Sequence, residues 1–184
     1  MESVSYPKRI ISTWAGNAIE ITGLVVGFAF LYFSSLTSIS ILKLVTLLFS
    51  WFCFWYFSHC LAHFIVGKLV GIRFLYYFIG RSSLVKLKLP IVTSLIKPIP
   101  VLGIKIDKSS LTNTSRCGRS ITYASGAFAS TLSPLIPFAY ALVYTEQPIA
   151  VLLGVITIGN IIFTSYLSPR VGDLYKAKKA LHQE

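Results

Sequence analysis

Four apolar runs, each near the length needed to cross a bilayer, constrain this chain more than any other feature. They extend from about Trp14 to Leu36, Ile41 to Val66, Ile121 to Tyr144 and Ile149 to Leu167. A helix rises about 1.5 Å per residue, so about 20 apolar residues cross the roughly 30 Å of hydrocarbon. Lipid tails cannot hydrogen-bond the backbone, so runs of this kind satisfy themselves as helices. Only 12% of the residues are charged, against about a quarter in an ordinary soluble domain. The expected fold is an all-α membrane protein: one domain over residues 1–184, four transmembrane helices and a small strand-containing segment between helices two and three.

Charge orients the spans. The chain carries a net charge of +11. Ten Lys and Arg fall in residues 67–120, two in the N-terminal lead and four in the C-terminal tail, while the links 37–40 and 145–148 carry none. The positive-inside rule then puts both termini and residues 67–120 on the cytoplasmic side of a multi-pass integral membrane protein. The same rule, with anionic lipid at the cytoplasmic face, accounts for the basic balance, so nucleic acid is not an expected partner. The polar lead is long and the first run spans, which argues against a cleavable signal peptide. Cys53, Cys60 and Cys117 give no disulfide framework.

The basic middle segment is more than a loop. Leu84 to Leu89 alternates apolar and basic residues, as does Gly103 to Lys108, and a period of two is a strand signal. Pro90, Pro98 and Pro100 exclude a regular helix between them. The aromatic stretch Phe74–Phe78 is of the kind that sits at a membrane interface. In span three, Gly126 and Ser130 form a small-xxx-small pair that lets helices approach closely.

Two of the three histidines, His59 and His63, lie four residues apart near one end of the second run. On a helix that spacing puts both imidazoles on one face, where they can share a divalent metal ion. An ionisable side chain within a span is costly, which makes the pair a functional hypothesis by default. The plainer alternative is two histidines hydrogen-bonded to backbone or to a neighbouring helix. Asp173 follows the fourth run, and the charge-derived orientation puts it on the same side as both histidines. Two His and one carboxylate make a common catalytic zinc set with the fourth position left to water. As an alternative, Asp173 before Leu-Tyr-Lys is a good helix N-cap.

These residues resemble the site-2 protease family of intramembrane zinc metalloproteases. The likeness rests on His59 to His63, on Gly126 with its neighbours, on Asp173, and on the order of the spans over about residues 41 to 176. It implies one zinc held by His59, His63 and Asp173, and a transmembrane peptide or membrane-protein segment as substrate. The chain departs from the family in three places. Cys60 stands where the family has its general-base Glu, Ser130 stands where it has Asn, and Gly172-Asp173 reverses its Asp-Gly. Loss of general acid–base help costs typically 10²- to 10⁴-fold. Two residues are candidates for the base position: Cys60 itself, and Glu20, which lies in the first span about 12 Å along its helix from Ser12. The bland reading of Glu20 is a hydrogen bond near the interface or a pair with a basic residue. A degenerate intramembrane metalloprotease of doubtful activity is therefore expected. The alternatives are a non-catalytic pseudoprotease that binds and regulates a partner membrane helix, and a metal carrier or sensor.

Overall fold

The structure is a computed structural model that describes residues 9–81 and 100–182. Its elements run in chain order as β1 (Arg9–Ile11), α1 (Thr13–Leu36), α2 (Ser40–Leu69), β2 (Phe74–Arg81), β3 (Pro100–Ile106), α3 (Lys108–Thr112), α4 (Arg116–Leu132), α5 (Leu135–Tyr144), α6 (Gln147–Val171) and α7 (Asp173–His182). Four helical stretches, Thr13–Leu36, Ser40–Leu69, Arg116–Tyr144 and Gln147–Val171, are long and apolar enough to cross a membrane. Large apolar side chains such as Val25, Phe28, Phe49, Val155 and Ile162 point outward from them. Hydrocarbon suits that surface better than water does.

The spans match the expected apolar runs, with shifted ends. Ser12 caps α1 by accepting the Ala15 N–H at 3.2 Å. α2 continues past Val66 to Leu69 and stops where Gly71 turns at φ +87°, a left-handed conformation that suits a residue without Cβ. The third run is not one helix. It begins at Arg116, where Ser115 caps it, and breaks at Ser133-Pro134 between α4 and α5. Pro134 has no N–H to continue the ladder. The Ser133 hydroxyl lies 2.9 Å from the Phe54 carbonyl and 2.9 Å from Ser58 Oγ, tying the break to α2.

Short links join α1 to α2 and α5 to α6, so these pairs are antiparallel. Gly16, Glu20, Gly23 and Gly27 form one buried face of α1. A Cβ on Gly23 would overlap the ring of Phe57, and one on Gly27 would lie 3.0 Å from Cys53 Cβ. The two helices therefore meet almost backbone to backbone, and Ser50 Oγ donates to the Gly27 carbonyl at 2.8 Å across the seam.

An antiparallel sheet of order β1-β2-β3 closes one end of the bundle, the end where α1 begins and α2 finishes. Ile10 pairs with Phe78, and Phe78 with Gly103. The expected strand at Gly103–Lys108 is β3, shifted to Pro100–Ile106, with Asp107 instead capping α3 by accepting the Ser109 N–H. The expected strand at Leu84–Leu89 falls outside the described residues. The aromatic stretch at Phe74 is β2, and its Tyr77 is buried against Gly16 with its hydroxyl donating to Asn17 Oδ1 at 2.7 Å. β3 is held to α2 through Leu102. Its N–H donates to Tyr56 Oη at 3.1 Å, and its carbonyl accepts from Cys60 Sγ at 3.2 Å. The basic tail is the helix α7, whose Ala177 and Ala180 are buried while Lys176, Lys178 and Lys179 are exposed.

Candidate metal centre

The centre forms where α2, α4 and α7 meet. His59 and His63 project from α2 with ring centroids 4.9 Å apart and planes nearly perpendicular. Asp173 opens α7, immediately after Gly172 ends α6. His59 Nε2 lies 3.1 Å and His63 Nε2 3.4 Å from the same oxygen, Asp173 Oδ2. The ligand atoms of the three residues lie within 4.8 Å of one another, a grouping that could hold a metal ion. Neither Cys60 nor Glu20 belongs to it.

Each ring is oriented from behind. His63 Nδ1 lies 2.6 Å from the Thr122 carbonyl oxygen, which can only accept, so Nδ1 carries the hydrogen. His59 Nδ1 lies 3.4 Å from Ser130 Oγ. The Ser130 hydroxyl donates its one hydrogen back along α4 to the Gly126 carbonyl at 2.9 Å, which leaves its lone pairs to accept from His59. With both Nδ1–H groups engaged, the two Nε2 atoms present lone pairs toward a carboxylate oxygen. Three electron-pair donors facing one another need a cation between them, either a proton on an imidazole or a metal ion.

That donor set fits a metal. Ring orientation by a hydrogen bond from the distal nitrogen is the usual support for a metal-bound imidazole. A tetrahedral ion with bonds of about 2.0–2.1 Å spaces its ligand atoms roughly 3.3 Å apart. The two distances to Asp173 Oδ2, 3.1 Å and 3.4 Å, bracket that value.

Asp173 lies inside α7, whose Lys176 N–H donates to the Gly172 carbonyl at 3.3 Å, and the Asp173 carboxylate turns to the histidines. Its other oxygen, Oδ1, accepts from Lys176 Nζ at 2.7 Å. Burial works against the charge on Asp173, but hydrogen bonding with His59 and His63 outweighs it and holds the carboxyl well below the usual carboxylate range. Gly126 makes room for the whole arrangement, since a Cβ there would overlap His63 Nε2.

The two candidates for the base position lie to one side. Cys60 is buried and its thiol is spent on the Leu102 carbonyl. Glu20 is wholly buried at the α1–α2 seam, and neither carboxyl oxygen has a hydrogen-bond partner among the described residues.

Sequence reasoning passed over Thr122, whose contribution is a backbone carbonyl and leaves no trace in residue type. It also passed over Lys176. The i, i+3 spacing from Asp173 is a helix-pair signal that could have found it. Compared with protein-family models, curated proteins and solved structures, the chain matches none.

Proposed function

We propose that this chain is a site-2-protease-like membrane protein that holds one zinc ion at His59 Nε2, His63 Nε2 and Asp173 Oδ2. The observation that carries the reading is the pairing of converged ligands with engaged Nδ1 atoms. A ligand trio of two His and one carboxylate with an open fourth position is a zinc hydrolase set. Bound there, zinc would lower the pKa of a water and polarise a carbonyl.

The chain's own residues supply the rest. Thr122 and Ser130 fix the two imidazoles. Lys176 holds Asp173 Oδ1 and so presents Oδ2 alone to the centre. The substrate class is a peptide segment within the bilayer, reached from the end of the bundle that the positive-inside rule makes cytoplasmic. Anionic lipid at that face is the expected partner of the exposed lysines on α7.

A second reading is favoured by one observation. Cys60, at the base position, is buried and hydrogen-bonded, so it takes no proton from water. A pseudoprotease that grips a partner helix needs no base. Turnover of a reconstituted transmembrane peptide, with and without a zinc chelator, separates the two. Chelator-sensitive cleavage supports the protease. Tight binding of the peptide with no cleavage supports the pseudoprotease.

A further inference from the structure

We infer that Asn160 of α6 is a positioning residue of this centre, which sets His59 by holding Ser130 of α4 in place behind it. The inference rests on the metal-binding reading above.

A missing donor comes first. In an uninterrupted helix the Ser130 carbonyl would accept the N–H of residue 134. That residue is Pro134, which has no N–H, and α4 breaks there. A carbonyl left open at membrane depth must find another donor. Asn160 supplies one from the neighbouring helix, its Nδ2 donating to the Ser130 carbonyl at 3.0 Å. The carbonyl oxygen can only accept, so the nitrogen of the amide is the atom that faces Ser130. Among the described residues this is the one hydrogen bond that the Asn160 side chain makes.

The residue that Asn160 holds is the one that meets the ligand. Ser130 Oγ lies 3.4 Å from His59 Nδ1, and its own hydrogen goes back to the Gly126 carbonyl. Three helices therefore join at Ser130, with α6 on its carbonyl, α2 on its hydroxyl and α4 through its backbone. Ser133 fastens the far side of the same break to α2 at Phe54 and Ser58. Asn160 and Ser133 between them fix where the last turn of α4 stands against His59.

Location separates positioning from packing. Asn160 is half-buried and lines an open apolar groove with Trp51, Trp55, Gly159 and Phe163. An amide gains nothing from apolar surroundings, so its contribution there is its hydrogen bond. One turn earlier α6 has a second polar tie, in which Trp51 Nε1 donates to Thr157 Oγ1 at 2.9 Å. Thr157 also donates to the Leu153 carbonyl. Neither Trp51 nor Leu153 is a ligand or supports one, so Thr157 is an internal control for the docking of α6.

The test is a cobalt(II) titration of the full chain in detergent, read by affinity and by the visible bands of the bound ion, with no turnover involved. Asn160→Leu keeps the side-chain volume and removes the donor. It should weaken cobalt binding by about three- to tenfold, less than the loss of a group that touches a ligand directly, and shift the bands. Asn160→Ala should do the same and serves if the leucine variant does not fold. In a Ser130→Ala background Asn160→Leu should cost no further affinity, because the path to His59 is already cut. Thr157→Val should bind cobalt like the wild type. An Asn160→Leu titration that superimposes on the wild type overturns the assignment and leaves the metal reading standing. So do losses that multiply in the double variant, or a Thr157→Val loss equal to that of Asn160→Leu, since either would make Asn160 a packing residue. Failure of the wild-type protein to bind cobalt overturns both.

Discussion

His63 packs against Gly126 more closely than any side chain at position 126 would allow, because a Cβ there would overlap the imidazole at Nε2, the nitrogen that faces Asp173. The small residue in α4 is therefore part of the candidate metal centre as well as of helix packing. Gly126→Ala should destabilise the fold by about 1–3 kcal/mol through overpacking. It should also weaken metal binding at least tenfold by displacing a ligand. Thermal unfolding in detergent and a metal titration read the two effects separately. A variant with unchanged metal affinity would show that Nε2 is not a ligand atom.

Ser130 offers a gentler perturbation. Ser130→Ala removes the hydroxyl behind His59 Nδ1 and keeps the small volume that α4 needs. Loss of such a supporting hydrogen bond typically costs 10- to 100-fold in metal affinity. Stability should move little, since the hydroxyl's other bond is back to its own helix. Equal affinity in the variant and the wild type would leave His59 oriented by something else.

Retention of metal should fall as pH falls, because imidazole ligands must be deprotonated. The sign for Asp173 follows from its direction. Its carboxyl is held below the usual carboxylate range, so the stability it contributes is complete above that range and is lost only as pH drops through it. Acid release of metal should therefore begin with the imidazoles and precede any loss of fold. Retained metal and circular dichroism, followed together from pH 8 to pH 3, test the order. Simultaneous loss of both would contradict it.

Much of this was legible in the sequence for a physical reason. Bilayer-length apolar runs and the distribution of Lys and Arg are one-dimensional signals, and they put His59, His63 and Asp173 at one end of the bundle before any coordinates. Pairings across the chain were not legible. β1 lies in a polar lead with no alternation, and β2 reads as an interfacial aromatic run because Phe, Tyr and Leu serve either role. The break at Ser133-Pro134 was hidden by continuous hydropathy, although Pro134 marks it. Asp173 looked equally good as a cap or a ligand. Only the structure, by turning the Asp173 carboxylate to His59 and His63, favours the ligand.

The orientation is open to a direct check. Ser109 is exposed on the short helix after β3. A cysteine introduced there should resist an impermeant thiol reagent in intact cells and react readily in inverted vesicles. The background thiol at Cys117, exposed on the same segment, must first be replaced. Labelling from outside intact cells would reverse the topology.

Zinc stoichiometry of the purified protein tests the central claim most directly. The wild-type chain should carry about one zinc per chain, as a single three-ligand site requires. His59→Ala, His63→Ala and Asp173→Ala, each folded by circular dichroism, should each retain less than a tenth of it. A wild-type protein that holds no metal after zinc loading, or single variants that keep the full complement, would contradict the account.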